Sequence, residues 1–213
     1  MKPRHLTVVL FVFSSLFISR LGVFAAAEQV SKKQKIILAL GDSLTEGYGI
    51  EKSNAYPAIV EAKLQSAGYN VKVVNAGISG STSASAPSRL RWLLKSQPDY
   101  LFLVLGANDG LRGVDLKATE NNLRTTIQLA KKANVQVWLA GMKMPPNYGR
   151  DYTKKFEQMF SQLAKSEKVP FLPFLLDNVA GRPELNQPDG IHPNEKGHAL
   201  MAEQVFRFMK ELL

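Results

Sequence analysis

The sequence predicts a three-layer α/β/α sandwich, with a five-stranded, mostly parallel sheet between two layers of helices. Three observations carry this. Apolar runs alternate along the chain with segments whose apolar residues recur at helical spacing. The connections between them are short, as right-handed crossovers between parallel strands require. The runs "KIILAL" and "YLFLVLG" are continuously apolar rather than alternating, which is the pattern of strands buried on both faces.

Taken in order, "KIILAL" is the first strand. "AYPAIVEAKLQSAG" follows as a helix, with Tyr56, Ile59, Val60, Leu64 and Ala67 on one face and Gly68 as its stop. "VKVVNAG" is the second strand, and "SRLRWLLKSQ" a short helix ended by Pro98. "YLFLVLG" is the third strand, and "ATENNLRTTIQLAKKAN" a helix burying Leu123, Ile127 and Ala130. "VQVWLAG" is the fourth strand, and "YTKKFEQMFSQLAKSEK" a helix with a stripe of Phe156, Met159, Phe160 and Leu163. Prolines interrupt the fifth strand, "VPFLPFLL", which places it at a sheet edge. The last helix, "EKGHALMAEQVFRFMKELL", buries Met201, Val205, Phe208, Met209 and Leu212. Between them, 177–194 is a long loop rich in Pro, Asn and Asp, the kind that carries function or moves.

Residues 1–27 read as a cleaved secretory signal. Lys2 and Arg4 precede the apolar stretch Leu6–Ile18, and Ala25-Ala26-Ala27 lead to a cleavage site before Glu28. The stretch is short for a membrane span, and Arg20 interrupts its far end. Residues 28–213 are then one domain with one core. The chain has no cysteine, which excludes disulfides, thiolate metal sites, a cysteine nucleophile and a lipidated cysteine. A soluble, periplasmic or secreted monomer without a stable membrane anchor is expected. The net charge is +9, and removing Lys2, Arg4 and Arg20 leaves 24 basic against 18 acidic residues. No basic helix or aromatic-interleaved basic stripe is present, so nucleic acid is not an expected partner.

In such sheets ligands bind beyond the carboxyl ends of the strands. The segments there are "GDSLTEG", "NAGISGSTS", "GANDGLRG", "GMKMPPNYGRD" and, after the fifth strand, "DGIHPN". Read alone, "GDSLTEG" is a capped turn: Ser43 and Glu46 match a capping box, and Asp42 can form an Asx turn. A serine nucleophile needs a base within hydrogen-bond reach. Of three histidines, His5 lies in the signal and His198 inside the last helix, as a surface or packing residue. His192 remains, with Asp189 three residues earlier to hold its Nδ1 proton. The alternative is that Asp189-Gly190 simply turns the chain into the last helix. Gly80 and Asn108 can supply oxyanion donors, a backbone N–H and a side-chain amide, or can serve only as turn residues. Leu44, Ile78, Leu111, Met142, Met144 and Pro145 can line an apolar groove or pack the loops. Tyr148 and Gly149 point to a movable loop.

Gly41-Asp42-Ser43-Leu44, Gly80, Gly106-Ala107-Asn108-Asp109 and Asp189-Gly190-Ile191-His192-Pro193 together resemble the conserved blocks of the GDSL or SGNH hydrolases, in that family's order. "GANDGLRG" and "PPNYGRDY" are similar to its bacterial periplasmic thioesterase/lysophospholipase/arylesterase branch. The resemblance implies a flavodoxin-like sandwich and a serine esterase acting through an acyl-enzyme. It makes Ser43 the nucleophile, His192 the base and Asp189 its orienting carboxylate. Ser43 N–H, Gly80 N–H and the Asn108 amide form the oxyanion hole. Small-molecule acyl esters or thioesters, lysophospholipids among them, are the substrates it implies, with no metal or cofactor. Ser81 departs from the acidic residue that relatives often carry after the second-block glycine. Two other readings stay open: a carbohydrate O-deacetylase with the same site, and a flavodoxin-like module holding FMN or a phosphate on "SGSTSAS". The chain has no P-loop, no G-x-G-x-x-G and no G-x-S-x-G elbow.

Overall fold

The computed structural model describes residues 33–213. The expected signal at 1–27 lies outside them. Among the described residues the five expected strands and five expected helices alternate, joined by two short helices, α1 and α4, in segments read as loops: β1 (Lys35–Gly41), α1 (Ser43–Glu46), α2 (Tyr56–Ser66), β2 (Val71–Gly77), α3 (Ala86–Leu93), β3 (Tyr100–Val104), α4 (Ala107–Leu111), α5 (Leu116–Lys132), β4 (Gln136–Ala140), α6 (Arg150–Glu167), β5 (Phe171–Leu172) and α7 (Glu195–Lys210). The sheet is wholly parallel, in the order β2-β1-β3-β4-β5. β1 is paired with β2 on one side and β3 on the other, and its residues Ile37, Leu38, Ala39 and Leu40 are 0% exposed.

Right-handed crossovers put the step from β1 to β2 on one face and the return to β3 on the other. Accordingly α2 packs with α7, while α3, α5 and α6 pack together. β5 is shorter than the apolar run implied. Pro170 and Pro173 flank its two residues, and a proline cannot donate to the ladder, so pairing stops there. The 177–194 loop is also more ordered than its composition indicates. It holds a 3₁₀ turn at Pro183–Leu185 and an antiparallel bridge between Asn186 and Pro193.

Register matters more to the site than length. Gly41 pairs with Gly77 of β2 and with Val104 of β3, so the three strands end in one row. Arg89, on α3, fastens that row. Its half-buried guanidinium donates through Nη1 to Gly41 O at 3.0 Å and through Nη2 to Ala76 O. Burial lowers its pKa and the Asp42 charge opposes that shift. His198, one of the two histidines in 28–213, is 1% exposed and packs between α2 and α7. Its Nδ1 accepts the Tyr56 N–H at 3.2 Å, so it serves the core.

Two expectations follow. Arg89→Met leaves the Ala76 carbonyl without this donor and should lower the unfolding free energy by about 1–3 kcal/mol in urea titrations. Arg89→Lys should recover only part, because an ammonium lacks the fork that spans two carbonyls. For His198, burial and the neighbouring His192 push the pKa from 6.5 down to about 4. Between those values the unfolded chain binds a proton that the folded chain refuses. The stability that His198 contributes is therefore whole above pH 6.5 and falls as pH drops toward 4, by up to about 1.4 kcal/mol per pH unit. The stability gap between wild type and His198→Gln should narrow between pH 7 and pH 4.5; an unchanged gap would count against a neutral buried imidazole.

Candidate active site

The chain leaves β1 at Gly41 and turns at once into α1. A Cβ on Gly41 would lie 2.0 Å from Thr45 Oγ1, and one on Gly77 would lie 2.1 Å from Glu46 N. Only glycines let this helical turn rest on the strand ends. Asp42 is its N-cap: Oδ1 accepts the Leu44 N–H at 3.0 Å, and the Asp42 carbonyl accepts from Thr45 and Glu46. Asp42 is 0% exposed and its Oδ2 has no hydrogen-bond partner. Burial pushes its pKa up to about 6 despite the Leu44 N–H.

The capping box read from Ser43 and Glu46 is therefore not formed. The helix starts one residue earlier than that pattern implies, so Ser43 is the first helical residue and its hydroxyl is left free of the cap. Glu46 reaches the next loop instead, where its carboxylate accepts the Ser79 N–H at 2.7 Å and the Ser79 hydroxyl.

Ser43 Oγ lies 3.0 Å from His192 Nε2, and His192 Nδ1 lies 2.7 Å from Asp189 Oδ2. The other carboxylate oxygen, Oδ1, accepts the N–H groups of Ile191 and His192, each at 3.0 Å. Partial burial opposes ionisation of Asp189. The bonds from His192 and the two backbone N–H groups outweigh it and hold the carboxyl below its usual range. A lasting anion on Nδ1 fixes the tautomer that leaves Nε2 free to accept from Ser43.

Gln187 ties this histidine loop down. Its N–H donates to His192 O at 2.7 Å, and its side-chain Nε2 donates to Tyr48 O at 2.6 Å and to Pro193 O at 3.1 Å. Asn194 then caps α7, its side chain accepting the Gly197 N–H at 3.1 Å.

Gly80 and Asn108 line the same cavity as Ser43 and His192. Ser43 N–H and Gly80 N–H donate to no other group among the described residues. Gly80, at φ 74°, has its carbonyl held by Arg112 Nη2 at 3.1 Å. Asn108, on α4, gives one amide proton to Ser81 O at 3.1 Å and keeps the other. Ser81 thus acts through its carbonyl, and its side chain makes no hydrogen bond among the described residues. Buried Asp109 locks the two loops: Oδ2 accepts the Ser83 N–H at 2.8 Å and Oδ1 the Ser83 hydroxyl at 2.5 Å.

A cavity of about 620 Å³ opens on this cluster. Of the expected groove residues, Leu44, Leu111, Met144 and Pro145 line it. Ile78 does not: its N–H extends the strand pairing to Gly41 O and its side chain is 54% exposed. Met142 is core, 2% exposed. Tyr148, read as part of a movable loop, has its hydroxyl bonded to Leu111 O at 3.2 Å. Sequence reasoning missed Tyr48, Phe174, Leu176, Ala180 and Ile191, which also line the cavity. No group of three or more possible metal-ligating side chains occurs among the described residues.

Comparison with known proteins gives the family. Residues 39–200 match the GDSL-like lipase/acylhydrolase family. The chain is 42% identical over 178 residues to the thioesterase 1/protease 1/lysophospholipase L1 of Escherichia coli K12, covering 83% of this chain and 84% of that protein. It is 37% identical to an arylesterase of Vibrio mimicus, over 85% and 90% of the two chains. Among solved structures, TesA superposes with a TM-score of 0.82 at 37% identity, over 84% of this chain and 100% of the other. The psychrotrophic esterase EstA of Pseudoalteromonas, inhibited by monoethylphosphonate, superposes at 0.80 with 33% identity, over 84% and 98%. The chain belongs to the GDSL-like lipase/acylhydrolase family and is a serine esterase.

Proposed function

We propose that this esterase hydrolyses acyl esters and thioesters, lysophospholipids included, through an acyl-enzyme on Ser43. One observation carries the reading: an unbroken chain from Ser43 Oγ through His192 to Asp189, at 3.0 and 2.7 Å, at the mouth of a mostly apolar cavity. His192 Nε2 takes the Ser43 proton as Oγ attacks the acyl carbon. Ser43 N–H, Gly80 N–H and the free Asn108 amide proton stabilise the oxyanion. His192 then gives the proton to the leaving oxygen or sulfur, and water repeats the cycle on the acyl-enzyme. Asp189 holds the imidazolium and stays ionised. Asp42 shapes the turn and takes no proton from the histidine.

The substrate class is supported by the names of the relatives, a thioesterase/lysophospholipase and an arylesterase. The cavity favours an acyl chain over the acetyl group of a carbohydrate deacetylase, since about 620 Å³ lined by Leu111, Met144, Phe174 and Leu176 is wasted on two carbons. The reading includes a signal cleaved before Glu28 and a mature 28–213 domain in the periplasm or outside the cell. No helix among the described residues is long and apolar enough to cross a membrane. Ser43, His192 and Asp189 all come from one chain, in keeping with action as a monomer.

Ser43→Ala should lose fluorophosphonate labelling and lower kcat/KM for short aryl esters by about a thousandfold or more. A variant that still labels and hydrolyses at the wild-type rate overturns the assignment. Asn108→Ala should lower kcat by about 10²–10³ with KM little changed, as expected of a donor used mainly in the transition state. Mass spectrometry of the exported protein should give an N-terminus at Glu28.

A further inference from the structure

Ester hydrolysis through an acyl-enzyme has two halves, and only the first contains the leaving group. His192 Nε2 must deliver a proton to the leaving atom, so that group has to pass beside the imidazole. The Tyr48 ring stands there, its centroid 4.7 Å from that of His192 with the planes tilted by 42°. It lines the cavity yet is 51% exposed, an aromatic face left partly in water at the reaction centre.

The ring's backbone is held from both sides. Tyr48 N–H donates to Ser43 O at 3.1 Å, and Tyr48 O accepts from Gln187 Nε2 at 2.6 Å. The turn has no slack toward Gln187: a Cβ on Gly49 would lie 2.3 Å from Gln187 Oε1. Leu111, Met144 and Pro145, by contrast, come from the segments after β3 and β4, to one side of β1 in the sheet. The apolar wall for the acyl chain and the Tyr48 face therefore come from different parts of the edge.

We infer that Tyr48 is the leaving-group platform of this enzyme, a face on which a planar aromatic leaving group stacks while His192 protonates it. This rests on the Ser43 and His192 assignments above. Tyr48 then sets how strongly acylation depends on the leaving group and leaves deacylation untouched. An aromatic pair of this kind corresponds to about two- to tenfold in rate.

The test compares a phenyl and a trifluoroethyl ester of one acyl chain, with wild type, Tyr48→Ala and Tyr48→Phe. Tyr48→Ala should lower kcat/KM for the phenyl ester about two- to tenfold more than for the trifluoroethyl ester, and Tyr48→Phe should restore the difference. Deacylation, read from single-turnover kinetics, should change less than twofold. Equal losses on both esters, or slowed deacylation, would mean that Tyr48 only steadies His192, and no change in either would remove it from the reaction; each overturns the inference. The underlying reading has its own readout. Wild type should show one deacylation rate from both esters. If instead the rates differ, or Ser43→Ala hydrolyses both esters normally, the Ser43 assignment fails and the platform falls with it.

Discussion

The site depends on β1 being hydrogen-bonded on both sides. A strand paired with β2 and β3, and covered above and below by helices, has to be apolar throughout, and Ile37 to Leu40 meet that demand. Because Gly41, Gly77 and Val104 end in one row, the three loops that follow leave the sheet at one level. A donor from each can then reach one small volume with no loop having to be long. Slipping one strand by a single residue would turn its side chains to the other face and shift its loop by about 3.3 Å, more than a hydrogen bond tolerates.

Around that row the polar groups cross-brace the loops rather than serve each loop by itself. Glu46 of the Ser43 turn holds Ser79, Asp109 of α4 holds Ser83, and Gln187 of the histidine loop holds Tyr48. The distances between reacting groups are thus set by bonds between different loops. Such preorganisation is what lets fixed dipoles stabilise a developing charge without reorganising. Asp42 is the exception, a buried carboxyl with one unpaired oxygen beside Ser43. Its other oxygen caps Leu44, and with the Asp42 carbonyl's bonds from Thr45 and Glu46 it starts the helix whose first residue is Ser43.

Much of this was legible from sequence because periodicity and scarcity both limit the options. The continuous apolar runs marked the strands and their carboxyl ends. With only His192 and His198 in residues 28–213, and His198 inside the last helix, the proposed base had one candidate. What escaped was set by contacts between distant segments. Tyr48 lies in a polar turn with nothing local to mark its proximity to His192, 144 positions away along the chain. Arg89 reads as a surface charge on a short helix, yet it reaches two strand ends. The false capping box came from a spacing that suits two adjacent starting points, Asp42 and Ser43, between which only the three-dimensional turn decides. Ile78 carried the right hydrophobicity on the right loop, but strand pairing at its N–H leaves it exposed.

Gly41 and Gly77 are glycines because α1 leaves no room for a Cβ at either place. Asp42 is an aspartate because the turn needs a cap, and Leu44 is buried beneath it. The glycine and the aspartate of Gly-Asp-Ser-Leu therefore answer to the turn, the leucine is buried yet also lines the cavity, and in the proposed mechanism only the serine reacts. A descendant that lost the hydroxyl could keep the rest of the signature under selection for folding alone. Matching the motif identifies a shape; a pseudoenzyme with that shape would be told apart at a single oxygen atom.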